Sequence, residues 1–430
     1  MADNTTKRKV PRGYKESTIG PIPKEWEVKH LGECCKGKLQ YGANASSIDY
    51  DPSLPRYIRI TDITEDGNLL QSDRKSIPIE KANGTLLNEG DFLFARTGAT
   101  VGKTYLHCLS AEVHAFAGYL IRFVPDRKIL LSEYLKFFTE TQRYWNWVKN
   151  TTRAGAQPNI NGQEYSSLKI PCPPIHEQKS IVSVLSLWQD NTNKLRQLIL
   201  AKRKFKRALM QQLLTGNRRF KEPGEQKWET VTLRDFLIPK IRPIPKPSIA
   251  FMALGIRSFG KGTFQKPNFE PNDIALQELY QVKKSDLIVN ITFAWEGAIT
   301  IVKESDDGAL VSHRFPTYEF NREVVIPEYF RYVILQKRFV HELGLVSPGG
   351  AGRNRVLSKT NFLKIKVTIP PLKEQYKIGN LLNSLDREIN LLGQHLELLK
   401  QQKRGLMQKL LTGKIRVRIL KNIKYKEKPC

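Results

Sequence analysis

One long element occurs twice in this chain. Pro173-Pro174-Ile175-His176-Glu177-Gln178 returns as Pro370-Pro371-Leu372-Lys373-Glu374-Gln375. Lys206-Arg207-Ala208-Leu209-Met210-Gln211-Gln212-Leu213-Leu214-Thr215-Gly216 returns as Lys403-Arg404-Gly405-Leu406-Met407-Gln408-Lys409-Leu410-Leu411-Thr412-Gly413. Both pairs are 197 positions apart, so about 44 residues repeat without a gap. A duplication of this size confines the fold to two related halves and has to be accounted for before any local feature.

The period inside the repeat is helical. Ile378, Leu385, Leu392, Leu399 and Leu406 recur every seven residues, with Leu382, Ile389, Leu396 and Leu410 in the interleaved row. The first copy is rougher: Ile181, Trp188, Leu195 and Leu209 form one row, Leu185, Ile199 and Leu213 the other. Such a heptad pattern predicts coiled-coil packing rather than an isolated surface helix. The double proline opens each helix where no hydrogen bond is lost, Glu177 and Glu374 sit in the first turns, and Gly216 and Gly413 follow the last turn. Some 40 residues give a rod of about 60 Å. Alone, each rod would expose an apolar stripe; two in one chain can cover each other. Both copies put a lysine in a core row, Lys206 and Lys403. Snorkelling near a helix end is the favoured reading, with register fixing as the alternative.

The flanks repeat more faintly. Gly67, Asp91, Gly102, Tyr134, Gly155, Asn159 and Leu168 match Gly262, Asp286, Gly297, Tyr329, Gly350, Asn354 and Leu363 at an offset of 195. Trp26-Glu27 and Trp228-Glu229 open the two halves. The expected order is an N-terminal arm (1–16), a globular domain (17–172), a long helix (173–216), a second domain (222–369), a second long helix (370–413) and a basic tail (414–430). Gly90–Ala95, Tyr119–Phe123 and Ser285–Asn290 read as short strands, Ser132–Lys149 and Pro327–Leu343 as amphipathic helices. The fold class is therefore α/β in the broad sense (α+β), with mostly antiparallel, irregular strands in two similar domains joined by two long antiparallel helices.

Charge points to the partner. Lys and Arg number 70 against 42 Asp and Glu, a formal charge of +28. Self-repulsion of that size does nothing for the fold, whereas a polyanion such as double-stranded DNA offsets it. No run of about 18 apolar residues predicts a membrane span. The N-terminus has no apolar signal core, and the five cysteines form no CxxC pair, so a cytoplasmic protein is expected.

Enzyme motifs are missing. Gly98-Ala99-Thr100-Val101-Gly102-Lys103-Thr104 has three residues between its glycines where a phosphate loop needs four. The seven histidines make no HxxxH or HExxH pattern, so no metal site is expected. No reactive group repeats in both halves, which favours binding over catalysis. The DNA-contact candidates in the first half are Arg96, Thr97 and Lys103, read as a Gly-rich hairpin facing solvent, and Arg153, Gln157, Asn159 and Asn161 in the loop before the first long helix. In the second half they are Arg257, Lys261, Trp295, Arg314, Arg353, Asn354 and Arg355. Arginine suits guanine and Asn or Gln suits adenine through paired hydrogen bonds, while other basic groups grip phosphate. Tyr144, Trp145, Trp147, Phe293, Trp295 and Tyr332 are stacking candidates, most of them more at home in a core.

Together these features resemble the DNA-specificity subunit of type I restriction–modification systems. The resemblance is carried by Ile-Gly-Pro-Ile-Pro-Lys-Glu-Trp (19–26), Gly-Asp-Phe-Leu-Phe-Ala-Arg-Thr-Gly (90–98), Gln-Pro-Asn-Ile-Asn (157–161), both Pro-Pro…Glu-Gln openings and both Leu-Leu-Thr-Gly closings. The second half departs from it with Gly-Arg-Asn-Arg-Val at 352–356. The resemblance implies two target-recognition domains, each reading one half of a split, asymmetric DNA site, with the helices setting the gap. It implies a non-catalytic chain that docks two modification (methyltransferase) subunits and works with restriction (translocase/nuclease) subunits. S-adenosylmethionine, ATP and Mg²⁺ then belong to those partners, with no cofactor on this chain. The competing readings are an RNA-binding or scaffold protein and, less favoured, a standalone nucleic-acid-modifying enzyme.

Overall fold

The structure is a computed structural model that describes residues 10–152, 158–220, 227–350 and 355–417. It divides into two compact units. Unit 1 takes the chain up to Arg196 and again from His395; unit 2 is Gln197–Gln394.

In unit 1 the central sheet is antiparallel, in the order Gln40–Tyr41, Leu120–Phe123, Phe92–Ala95, Thr104–Leu106. Phe92, Leu93, Phe94 and Ala95 are all buried, because this strand lies inside the sheet with both faces covered. A second four-stranded sheet contains Arg56–Ile58 and His114–Phe116, which run parallel. A short ribbon pairs Glu27–His30 with Lys169–Cys172. Helices α1 (Ser132–Thr139) and α2 (Gln142–Thr151) follow, then α3 (Gly162–Ser166). The expected single helix over 132–149 is thus two. Thr141 caps the second, its side chain accepting from the Tyr144 N–H, and the break turns both helices onto one core.

Unit 2 repeats the plan. Its central sheet runs Leu237–Lys240, Thr317–Phe320, Leu287–Val289, Ile299–Ile301, and its ribbon pairs Glu229–Thr232 with Lys366–Ile369. The helix expected over 327–343 is again split, into α5 (Pro327–Val333) and α6 (Lys337–Leu345), before the short α7 (Lys359–Phe362). The second sheet differs. It has five strands, including a long hairpin of Phe251–Ile256 and Thr263–Phe269.

The long helices are α4 (Ile175–Leu214) and α8 (Leu372–Leu410). Each contributes to both units and enters the core of each. In unit 1, Ile181, Val182 and Leu185 from α4 and Met407 and Leu410 from α8 join one cluster with Trp26, Phe94 and Tyr134. In unit 2, Leu209 and Leu213 join Ile378, Leu382 and Leu385 around Tyr329 and Phe330. The heptad rows are the packed face. Ile181, Leu185, Ile199, Leu209, Leu213, Ile378, Leu382, Leu385, Leu396 and Leu410 are buried, and Trp188, Leu195, Ile389, Leu392, Leu399 and Leu406 are half-buried.

The repeated motif explains itself here. The Trp26 indole donates to Glu177 at 2.9 Å and Arg416 to the same carboxylate at 2.5 Å. In unit 2, Trp228 donates to Glu374 at 3.0 Å and Arg219 at 2.7 Å. Gln178 accepts from Leu131 N–H and donates to the carbonyls of Ile129 and Pro173; Gln375 does the same with Ile326, Val324 and Pro370. Each Glu-Gln pair therefore clamps a helix start to its domain. Arg416, one of the basic residues of the expected tail, belongs to that clamp; the tail from 418 on lies outside the described residues.

The core lysines are not snorkelling. Lys206 reaches Asp386 at 2.5 Å, and Lys403 reaches Gln189 at 2.5 Å and Glu140 at 2.8 Å. Lys206 and Lys403, and Gln189 and Asp386, are each one repeat apart. The two contacts are thus equivalent, and in both units the helices run antiparallel.

Candidate nucleic-acid interface

Backbone hydrogen bonds gather three separate segments at the same place in each unit. In unit 1, Arg96 N–H donates to Tyr119 O at 3.0 Å, Ile160 N–H to Arg96 O at 2.9 Å and Gly98 N–H to Pro158 O at 2.9 Å. Thr97 and Asn159 form a bridge. In unit 2, Ile291 N–H donates to Arg314 O at 3.0 Å and Leu357 N–H to Ile291 O at 2.8 Å. The hairpin and the loop before the long helix, separate in sequence, thus form one surface. Arg153, Gln157, Arg353 and Asn354 belong to that loop but lie outside the described residues.

In unit 1 this surface borders a cleft of about 660 Å³, lined by Tyr41, Asn44, Arg59, Arg96, Thr97 and Tyr119 among others. Arg96 does not project freely. Its guanidinium carbon lies 4.7 Å from the Tyr41 ring centroid and its Nε is enclosed. Among the described residues it has no ion-pair partner, whereas Arg59 is held by Asp62 at 2.8 Å. Lys103 is also not directed to solvent: it pairs with Glu65 at 2.6 Å, only 17% of its side chain exposed. The lysine expected to face solvent is thus mostly covered and held by the carboxylate of an exposed turn. Asn161 caps α3, accepting from the Glu164 N–H while Glu164 accepts from Asn161 N–H. Asn159 is exposed and Thr97 half-buried.

In unit 2 the corresponding surface is aromatic. Phe251, Phe264, Phe269, Phe293 and Phe315 line a cleft of about 440 Å³. Arg257 lies 5.3 Å from the Phe264 centroid and Arg355 lies 5.5 Å from that of Trp295, both cation–π geometries. Lys261 and Arg314 are exposed. Of the stacking candidates, Tyr144 and Tyr332 are core residues, as expected for most of the set; Phe293 and Trp295 are half-buried at the cleft side, and Trp145 is partly exposed. Sequence reasoning passed over Tyr41 and the aromatic hairpin 251–269. No motif marks Tyr41, which meets Arg96 only through strand pairing, but the clustering of Phe251, Phe259, Phe264 and Phe269 with Arg257, Lys261 and Lys266 was a usable signal.

Among the described residues no group of three or more His, Cys, Asp or Glu could hold a metal ion, and no helix is long and apolar enough to cross a membrane. Two neighbouring imidazoles are internal. His107 and His114 approach at 3.4 Å between Nδ1 atoms, Tyr105 lies 3.3 Å from His107, and Glu112 and Arg56 stand behind. Burial holds both imidazoles below the usual range, His107 down to about 4.

The family model for the type I restriction modification DNA specificity domain matches twice, over residues 23–202 and 225–401. Among curated proteins, the Type I restriction enzyme MjaVIII specificity subunit of Methanocaldococcus jannaschii is 25% identical, over 95% of this chain and 97% of its own length. The Putative type I restriction enzyme MjaX specificity subunit of the same organism is 27% identical, over 94% and 97%. Two solved structures share the fold. One comes from a study of complex assembly and conformational transition of the type I R-M system, with TM-score 0.56, 18% identity and 92% and 99% coverage. The other is the type I restriction-modification S subunit from M. genitalium, with TM-score 0.55, 15% identity and 92% and 98% coverage. Two matched segments, coinciding with the two similar units and their shared long helices, place the chain in the family of type I restriction–modification DNA specificity domains, of which it carries two copies.

Proposed function

We propose that the chain is the DNA-specificity subunit of a type I restriction–modification complex, each unit reading one half of a split, asymmetric site. The carrying observation is that one fold appears twice with chemically unlike clefts in the same place. The first is polar, with the Arg96–Tyr41 stack; the second is aromatic, with Arg257 and Arg355 on Phe264 and Trp295. Unlike readers on one chain select unlike half-sites, and two similar modules in one polypeptide replace the two-fold dimer that reads a palindrome. Base choice falls to Arg96, Thr97, Asn159, Arg257, Trp295, Arg314 and Arg355, and to Arg153, Gln157, Arg353 and Asn354 in the adjoining loops. Lys261 and the remaining basic surface supply salt-dependent phosphate grip. Lys103, paired with Glu65, and Asn161, capping α3, fix the segments that carry this surface.

The partners are double-stranded DNA, two modification subunits docked on the long helices, and restriction subunits, in the cytoplasm. S-adenosylmethionine, ATP and Mg²⁺ are carried by those partners and none by this chain. Methylation mapping of cells expressing the chain with its cognate modification subunit tests this. A split motif with one modified adenine on each strand is expected; a continuous palindromic motif, or no new methylation, overturns the reading.

A further inference from the structure

The hairpin of unit 2 ends in a six-residue tip, Arg257-Ser258-Phe259-Gly260-Lys261-Gly262, closed by the Arg257 N–H to Gly262 O bond of 2.9 Å. Phe259 at its apex is 73% exposed and holds a left-handed φ of +62°. That conformation disfavours a bulky side chain and persists only where the surroundings impose it. They do so here. Phe259 N–H donates to Glu296 O at 2.8 Å, Gly260 N–H to Gly297 O at 3.2 Å, and the Ser258 hydroxyl to the Glu296 carboxylate at 2.6 Å. The tip is fastened to the protein while its ring stands in solvent, an arrangement that folding alone does not explain.

The charges around it indicate the occupant. Arg257 and Lys261 lie two residues to either side of Phe259 in the chain, and Lys261 Nζ is 5.8 Å from its ring centroid. A cleft of about 450 Å³ beside the tip adds Lys303 and Arg331. Three carboxylates line it too, each with a cation in reach: Asp386 with Lys206 and Glu304 with Lys284 inside the cleft, and Glu328 with Arg322 at 3.7 Å. Lys261, Lys303 and Arg331 have no carboxylate partner among the described residues. The corresponding turn of unit 1, Thr64–Asn68, is acidic instead, with exposed carboxylates that are ion-paired, Glu65 with Lys103 and Asp66 with Arg196.

We propose that Phe259 is an aromatic wedge that stacks on or between bases of the duplex at or beside the second half-site, with Lys261, Lys303 and Arg331 on the adjoining phosphates. A rigid apolar side chain with Lys261 beside its ring and further cations in the adjoining cleft suits a base step that has been opened, and proteins that kink DNA use Phe in this way. The wedge rests on the DNA-reading role proposed above and adds a deformation to it, so that sequence at the wedged step is selected by its ease of unstacking rather than by hydrogen bonds.

The test uses the full chain assembled with its cognate modification subunits and a duplex carrying the mapped methylation motif. 2-Aminopurine is placed at successive positions across the second half-site and its flanks, the methylated adenine excepted, because the modification subunit extrudes that base itself. With the unaltered chain, fluorescence should rise at one or two neighbouring positions. Phe259→Ala should abolish the rise and weaken binding about tenfold, with the subunit stoichiometry of the complex intact. Phe259→Gly should weaken binding equally while keeping or raising the melting temperature, since glycine accepts the left-handed backbone. No bright position with the unaltered chain, or the same bright position with Phe259→Ala, sinks the wedge while normal methylation leaves the DNA-reading role standing. Loss of subunit assembly in Phe259→Ala, with DNA binding by the chain unchanged, would make the ring a protein contact instead. Failure to mark any split site removes both proposals.

Discussion

A lysine within a helical seam is stable only where its ammonium finds acceptors, and in this chain the acceptors are built in twice. Lys403 is 7% exposed, bound by Gln189 and Glu140, with the Phe137 ring 5.2 Å away. Lys206 meets Asp386, which also accepts from the Tyr332 hydroxyl at 2.7 Å, with that ring 5.1 Å away. Lys403→Ala should destabilise unit 1 by about 2 kcal/mol, part desolvation of its abandoned acceptors and part lost packing. Lys403→Met combined with Gln189→Leu should recover much of it. Urea titrations of the single and double variants measure the coupling, and strict additivity would deny the contact. The buried imidazoles give a second expectation. His107 and His114 are held neutral by burial, with Tyr105, Glu112 and Arg56 facing them. Their folded-state pKa lies below the unfolded value, so the unfolded chain binds more protons between about pH 6.5 and 4. Stability is therefore full above pH 6.5 and is lost as pH falls through that window, by up to roughly 3 kcal/mol for His107. Thermal melts at pH 7.5 and 5 should show the drop, reduced in His107→Gln; an equal drop in that variant would place the titration elsewhere.

At the scale of elements, the long helices are part of the domains they join. Leu382 is fully buried with Tyr329 and Phe330, and Leu185 with Tyr134 and Phe94. Leu382→Ala should cost about 2–5 kcal/mol and speed amide exchange throughout unit 2. Leu185→Ala should do the same in unit 1. Exchange rising only along the helix, with the sheets still protected, would show the helices to be separable from the cores. This integration was not visible in sequence, because a heptad row reports that a face is buried and not what buries it. The repeat, the helix period and the strand at 92–95 were legible, since each depends on local spacing. The breaks at Glu140–Thr141 and Ile334–Gln336 were not, because the apolar period runs through them. Nor was the pairing of Tyr41 with Arg96, which needs the order of strands in the sheet. Lys103 misled for a related reason: glycines around it gave a solvent-facing hairpin, while its acceptor Glu65 arrives from a distant turn.

For the whole molecule, one property of the proposed reader follows from helix geometry. Compact packing divides the chain within α4, between Arg196 and Gln197, and within α8, between Gln394 and His395. Four helical residues inserted at both places leave every contact described within either unit untouched. They add about 6 Å of helix, close to the rise of two base pairs. If the helices set the distance between half-sites, the double insertion should retain both half-site sequences and lengthen the unread gap by about two base pairs. The same insertion in α4 alone should behave differently. With α8 unchanged, the two helices can no longer keep both the Lys206–Asp386 and the Lys403–Gln189 contacts, so the complex should lose activity or accept several gaps. Methylation mapping with the three chains separates these outcomes. Lengthening with the double insertion and relaxation with the single one makes the paired helices the ruler. An unchanged gap in both moves the ruler to the docked partners or to the DNA itself.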